Sequence, residues 1–418
     1  MLNRFDDECG AYHDFVEGLD IELSFITLAE GLGVVDPDRS REVIVVPDLS
    51  VETVLPVAEG LIDRHGPLDG LTGLSEKVVV ASARLREKLG LPGWSVELAT
   101  RFKDKLVMKR AVAAAGLRTP RFLGLAECAA EVSGGGAVDL ADPLAVEFGW
   151  PVVLKPLAEG ASRGVSVHRD LADLADRLER IDLTAYEAEE FVSGQIVHVD
   201  GVLRDGEMFF VSASFYVGTC LGHAHGDPLG SVLFDHGPVR DRVIRFAVDA
   251  LAALGLRHGP FHLEAILTSA VDDGLDVAAD VTEPVFLEVG LRPGGADVPF
   301  VLADTCGIDL FAEAFRCSLG LPTQADPAQL RPAHGAGWLN VPEPFPRPCR
   351  VIARNPIVGV VPGVYAELLP DVGHVFRGAG GYDYVGGRFR VRGVHQAEVE
   401  RGVRAAAATY DLVVEAAS

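Results

Sequence analysis

Residues 260–295 constrain this chain most. They hold two short apolar runs, residues 261–268 and 285–290, each with one glutamate inside, and then Leu291-Arg292-Pro293-Gly294-Gly295. The β-branched and aromatic content predicts two strands. Side chains alternate along a strand, so His262, Glu264 and Ile266 share a face of the first. Phe286, Glu288, Gly290 and, if the chain stays extended, Arg292 share a face of the second. A carboxylate among apolar neighbours is costly to bury alone. Each glutamate is therefore a surface residue, an ion-pair partner or a ligand of a hard cation. Arg292, four residues after Glu288, points to an anion held beside such a cation.

The rest of the chain must supply that anion's other contacts. With 418 residues, 48% of them hydrophobic, it is long enough for two or three domains with real cores. Its formal charge of −24 argues against a nucleic-acid or anionic-membrane surface, because such binding rests on many Lys and Arg meeting phosphates. An anionic ligand must then meet a local basic cluster. Lysine occurs only at positions 77, 88, 103, 105, 109 and 155, and arginine everywhere else. A lysine kept in such a chain suggests a place for a compact ammonium, as beside a phosphate.

Six scattered cysteines with no C-x-x-C pair, and an acidic opening in place of a basic and apolar leader, predict reduced thiols in a cytoplasm. Residues 208–226 lack Asp, Glu, Lys and Arg, but their serines, glycines and histidines predict a strand and loop, not a membrane span. His223 and His225 form an H-x-H without further residues at ligand spacing, and read as loop histidines.

In chain order, residues 42–47 predict a strand. Ser50 caps a helix reaching about His65, and residues 75–89 predict a second helix stopped by Gly90. No G-x-G-x-x-G follows the strand, so a Rossmann dinucleotide site is not supported. A basic helix is expected from about Arg101 to Gly116, with Lys105 and Lys109 one turn apart on a face that is either solvated or ligand-directed. Residues 131–143, with glycines 134–136, read as a loop. Next come a strand at 151–156 ending in Lys155, a turn at 159–164, and a strand at 165–168. This is either a plain hairpin or a flap whose Gly160 and Gly164 let backbone N–H groups close over phosphates. The run Glu189-Glu190-Phe191-Val192 is either an acidic surface strand or a linker offering backbone groups and Glu189 to an adenine. A helix at 309–319, a proline-rich connector, and a tail with a helix near 396–410 and a last strand at 411–414 read as a small α+β closing domain.

Taken in order, Asp104-Lys105, Val153-Leu154-Lys155-Pro156 with the 160–164 loop, Glu189 to Val192, His262-Leu263-Glu264, and Phe286-Leu287-Glu288-Val289 ending in Arg292 resemble the ATP-grasp superfamily over roughly residues 70–418. Residues 83–93, His198-Val199-Asp200-Gly201 and Arg292-Pro293-Gly294-Gly295 carry a further resemblance to carboxylate–amine ligases of the L-amino-acid ligase type. The resemblance implies an α/β and α+β, three-domain architecture with ATP between two β-rich lobes. The expected parts are residues 1–98, a grasp unit over 99–325 with a mobile lobe at about 120–200, and a closing unit over 326–418. It implies that Lys105 and Lys155 hold ATP phosphates, that Ser162, Arg163 and Gly164 close over them, and that Glu189, Glu190 and Val192 meet the adenine. Glu264 and Glu288 would hold Mg²⁺, with Mn²⁺ as a substitute, and Arg292 would face the transferred phosphoryl group. Many relatives have Asn where Gly290 stands and Glu where Ile196 stands, which leaves Gln195 or His198 for the ribose.

The implied activity is ATP-dependent amide or peptide bond formation through an acyl phosphate, on small carboxylate and amine substrates such as amino acids, by a cytoplasmic homodimer. An ATP-grasp carboxylase or formate-using ligase, and a degenerate nucleotide-binding protein, are the alternatives.

Overall fold

The computed structural model describes residues 1–5, 8–131, 137–268, 283–327, 330, 332–378 and 385–417. Of the loop expected over residues 131–143, residues 132–136 lie outside the described residues, and 137–143 are not loop but a short 3-10 turn, Ala137–Leu140, and the start of helix Ala141–Phe148. Three sheets place the motifs. The first is parallel, with strands Leu2–Asn3, Ser24–Thr27 and Glu42–Val45 in that order. Helix Val51–His65 follows it, and the Ser50 hydroxyl accepts the Thr53 N–H at 3.3 Å, as its N-cap position predicts.

A small antiparallel sheet forms from Phe122–Gly124, Tyr186–Glu190, Val152–Pro156 and Ser166–His168, in that spatial order. The large sheet has eight strands. Its order is Val285–Gly290, Gly259–Leu267, Gln195–Arg204, Glu207–Val217, Leu229–Leu233, Gly335–Pro342, Val385–Gly393 and Val364–Leu368. Residues beyond 326 are therefore not a layer apart, because three of their strands complete this sheet.

The packing gives the reason. Helix Pro238–Leu254 buries Val243, Phe246, Ala247, Ala250, Leu251 and Leu254, an i, i+3, i+4 stripe, against one face of the large sheet. Helix Gln396–Thr409 lays Val399, Val403 and Ala406 into the same core. On the other face, helices Val298–Cys306 and Leu310–Ser318 pack Val301, Leu302 and Leu310 against Val202, Phe210 and Trp338. Burying one such Leu or Val side chain contributes about 1.5–3 kcal/mol, so joining the sheets gains more than leaving two edges open.

The basic helix expected from Arg101 is two helices, Val96–Arg101 and Lys105–Ala114. Asp104 makes the break, its carboxylate accepting the N–H groups of Leu106 and Val107 at 2.9 and 3.1 Å. The new phase turns Lys105 and Lys109 inward, and both are buried. Residues 208–226 form a strand and a short helix, Cys220–Ala224, and among the described residues no helix is long and apolar enough to cross a membrane.

Candidate functional site

Strands Gly259–Leu267 and Val285–Gly290 pair antiparallel, with His262 opposite Gly290 and Glu264 opposite Glu288. Two like charges directly opposed on neighbouring strands destabilise a sheet unless a cation lies between or beside them. The register then slips after Glu264, so that Ala265 meets Phe286 and Leu287 is the extra residue of a β-bulge. The expectation that Phe286 shares the face of Glu288 is thereby corrected. The bulge turns Phe286 into the core with Leu263, Ala265 and Val289, while Glu288 stays on the cleft.

Glu264 is nearly buried and accepts the Tyr216 hydroxyl at 2.7 Å, and His262 Nε2 lies 3.5 Å from the same oxygen. Lys105 Nζ donates to the Glu159 carbonyl at 2.7 Å and lies 3.3 Å from Glu288 Oε2. Burial alone would lower the Lys105 ammonium, but Glu288 outweighs it, so the pKa is raised and the charge kept. The lysine therefore ties the flap backbone to the second carboxylate.

Behind it lies a buried ion-pair network that the sequence did not announce. Lys109 Nζ donates to Glu187 at 2.7 Å and also to Glu189, whose other oxygen takes the ammonium of Lys155. Burial would depress Lys109, yet the carboxylates of Glu189 and Glu187 hold its pKa above the usual lysine value. Both Glu189 oxygens are thus occupied by lysines. Its carboxylate positions Lys155 in place of standing free for a base, which leaves the backbone of Glu190 and Val192 at the cleft.

The cleft between the small and large sheets measures about 420 Å³. Lys105, Lys155, Ser162, Arg163, Glu189, Glu190, Val192, Glu264 and Glu288 all line it, as does Ile196. The flap backbone is unusual: Ala161 and Ser162 have φ of 55° and 54°, and Gly164 has φ of 73°. A Cβ at Gly164 would also lie 2.8 Å from Pro156 Cγ, so only glycine fits there.

Arg292 stands outside that cleft, on two adjoining cavities. One, of about 40 Å³, is shared with Tyr216, His262, Glu264 and Glu288. The other, of about 590 Å³, runs toward Arg4, Phe5 and Phe311. Arg292 Nε donates to Glu76 at 2.9 Å, and Lys103 grips the other Glu76 oxygen at 2.9 Å. Glu76 was not read from the sequence, because a single glutamate on a surface helix start carries no signal until the sheets assemble.

His198 requires a correction. It is buried, Nδ1 lying 2.5 Å from Asp200 and Nε2 2.7 Å from Ser231, and it does not line the cleft. His198 shares the strand face of Ile196, but two residues further along its ring is enclosed between Asp200 and Ser231, away from the cleft. Asp200 also bonds His262 Nδ1 at 2.8 Å. Burial would raise the Asp200 carboxyl, but His262 and His198 hold it well below the usual range, and in return Asp200 pushes the His262 imidazole, against burial, up to about 9. Among the described residues His198, Asp200 and His262 are the one group of three or more His, Cys, Asp or Glu side chains with ligand atoms close enough to share a metal ion, yet their atoms already bond one another and Ser231. His223, expected in a loop, lies buried on the short helix Cys220–Ala224 with Nδ1 3.0 Å from the Asp227 carbonyl, and His225 caps that helix.

The site thus presents two opposed carboxylates, two lysines and a flap around one cleft, and an arginine on the neighbouring cavities. Hard oxygen donors of this kind suit Mg²⁺, which takes one or two carboxylates and fills its remaining positions with phosphate oxygens and water. Gly290 offers no ligand, and a Cβ there would lie 3.2 Å from Arg292 Cγ.

No protein-family model matches the chain. Over 311 residues it is 26% identical to an L-arginine-specific L-amino acid ligase of Bacillus subtilis, covering 72% of this chain and 69% of that enzyme. Over 182 residues it is 31% identical to a D-alanine–D-alanine ligase of Xylella fastidiosa, covering 42% of this chain and little more than half, 55%, of that enzyme. In fold it is similar to the crystal structure of an L-amino acid ligase from Bacillus licheniformis, with a TM-score of 0.74 and 18% identity, over 99% of this chain and 98% of that one.

Proposed function

From the premise that this chain is an ATP-grasp ligase of the carboxylate–amine class, we propose that it joins two amino acids, or an amino acid and a related amine, through an acyl phosphate. The observation that carries the reading is the direct opposition of Glu264 and Glu288 at a cleft whose other wall holds Lys105 and Lys155. The names of the relatives, an arginine-specific amino acid ligase and a D-alanine–D-alanine ligase, support amino acids as the substrate class.

In this reading the cleft takes ATP. The backbone of Glu190 and Val192 meets the adenine, Lys105 and Lys155 neutralise phosphate oxygens, and the Ser162-Arg163-Gly164 flap closes over them. Lys109, Glu187 and Glu189 hold Lys155 in place. Glu264 and Glu288 hold Mg²⁺ or Mn²⁺, which bound there offsets the charge building on the transferred phosphoryl group. The substrate carboxylate attacks the γ-phosphorus in line, giving an acyl phosphate and ADP. Arg292, at the adjoining cavity, orients that acyl phosphate. The amine then attacks the acyl carbon, and the tetrahedral oxyanion collapses with loss of phosphate. Positioning and charge carry the chemistry, so no side-chain nucleophile is required. Closure needs the lobe of residues 120–200 to move against the large sheet.

The test is purified protein with Mg-ATP and a matrix of amino-acid pairs, read by phosphate release and product mass. A product equal to the two substrates less one water, formed with one phosphate per bond, is expected. Carboxylated or formylated product would overturn the reading, and so would absence of ATP turnover with every pair.

A further inference from the structure

The five residues between Arg292 and the helix starting at Val298 are held by a contact from the far end of the chain. Asp297 is 1% exposed. Its Oδ2 accepts Arg388 Nε at 2.7 Å and its Oδ1 accepts Arg390 Nε at 3.0 Å, both arginines standing on the Val385–Gly393 strand. The Phe300 ring, one turn into the helix, lies under both guanidinium groups, 5.1 and 4.7 Å from their central carbons. With its amide turned nitrogen-inward, Asn340 adds a third donor, 3.1 Å from Oδ2.

Two independent features show that the loop so held is not relaxed. Ala296 has φ of 54°, a left-handed conformation that alanine ordinarily avoids. Among the described residues the other non-glycine positions with positive φ are Ala161 and Ser162 of the flap and Asp205 of a hairpin turn. Such conformations persist where surrounding contacts over-determine them. At the other end of the loop, a Cβ on Gly294 would lie 2.4 Å from Asp200 Oδ1, so the backbone is pressed against the buried His198–Asp200–His262 network. The loop is fixed from one side by Asp200 and from the other by the paired arginines, and Arg292 hangs from its start.

We propose that Asp297, gripped by Arg388 and Arg390, is a positioning residue that sets the backbone on which Arg292 reaches the reacting phosphoryl group. The inference rests on the role given to Arg292 above. It assigns the Val385–Gly393 strand a task in the reaction: two arginines that hold a carboxylate of the loop, one of which, Arg388, also borders the 590 Å³ cavity beside Arg292. Losing the carboxylate would free the loop to leave the conformation Ala296 resists, and Arg292 would sample positions away from the acyl phosphate. Binding of ATP in the separate 420 Å³ cleft, which neither arginine lines, would be spared.

The experiment compares D297N, D297E and D304N in the full chain, using ATP and the amino-acid pair with the highest wild-type turnover. Asp304 serves as the control because it touches Arg390 on its outer side, at 3.4 Å, together with the Tyr365 hydroxyl, and makes no contact with the loop. D297N should lower kcat at least tenfold with the KM for ATP within twofold, and should speed amide hydrogen exchange over residues 291–298. D297E should recover at least threefold of the lost kcat, and D304N should stay within twofold of wild type throughout. If D297N does not fold, R390Q, which leaves the carboxylate paired with Arg388, carries the same expectations. The proposal is overturned if exchange over 291–298 is unchanged, if D297N loses no more kcat than D304N, or if it raises the KM for the carboxylate substrate while kcat holds. That last result would make the arginines substrate contacts. A wild type that turns over no ATP would sink the ligase reading instead, and the exchange measurement would still decide the clamp.

Discussion

Glu264 and Glu288 were legible as isolated carboxylates in apolar strands, and alternation was enough to give each a face. What alternation could not supply was the bulge at Leu287, which separates Phe286 from Glu288 and sets the two glutamates opposite each other. E288Q keeps the shape and removes the charge, so turnover should fall by roughly 10²–10³-fold with the unfolding temperature nearly unchanged. A near-full rate in that variant would remove Glu288 from the metal site. Gly290 is the second test at this scale. An asparagine there would add an oxygen donor beside Glu264 and Glu288, but the Arg292 side chain folds over the position, with Cγ only 3.2 Å from where a Cβ would stand. G290N should therefore lower kcat by roughly tenfold to a hundredfold through displacement of Arg292. A rate equal to or above wild type would show that Arg292 has room to move aside.

At the scale of elements, the helix Lys105–Ala114 shows how little a charge pattern reveals alone. Two lysines one turn apart read equally as a solvated face, and the capping carboxylate of Asp104 turned them inward. Lys109 then became the cation shared by Glu187 and Glu189, all three side chains at most 3% exposed. Replacing it by methionine leaves two carboxylates buried together, a change that costs about 3–5 kcal/mol. Urea unfolding of K109M should show that loss; one below about 1 kcal/mol would mean the pair protonates or hydrates cheaply. The helix Pro238–Leu254, by contrast, has an apolar stripe plain in the sequence, and went unread because no motif drew attention to it.

Across the whole molecule, Glu76 ties the N-terminal region to the Arg292 loop. Burial would raise its carboxyl, but Arg292 and Lys103 outweigh burial and hold it well below the usual carboxylate range. A carboxyl whose folded pKa lies below its unfolded value, about 4.3, gives stability that is fully present above that value and lost as pH falls from there through the folded pKa. Wild-type stability should thus decline more steeply than that of E76Q between about pH 5 and pH 2, measured by urea unfolding. Parallel slopes would show that the Glu76 contacts are worth the same in both protonation states. The same ion pairs mean that the cavity of about 590 Å³ is walled by the N-terminal region as well as the large sheet.

Local chemistry settled much in advance. The strands carrying Glu264, Glu288 and Lys155, the capped helix at Ser50 and the glycine at 164 follow from alternation, capping and backbone sterics, all of which act over a few residues. The sequence therefore determined which charged side chains stand on these strands, and their order along the chain. Tertiary structure decided their partners: Glu76 for Arg292, Glu189 for Lys155, Asp200 for His262 and Asp297 for two arginines about ninety residues further along. Contacts between such distant residues depend on how whole sheets stack, and sheet stacking is fixed by burying apolar faces, not by any spacing a reader can count.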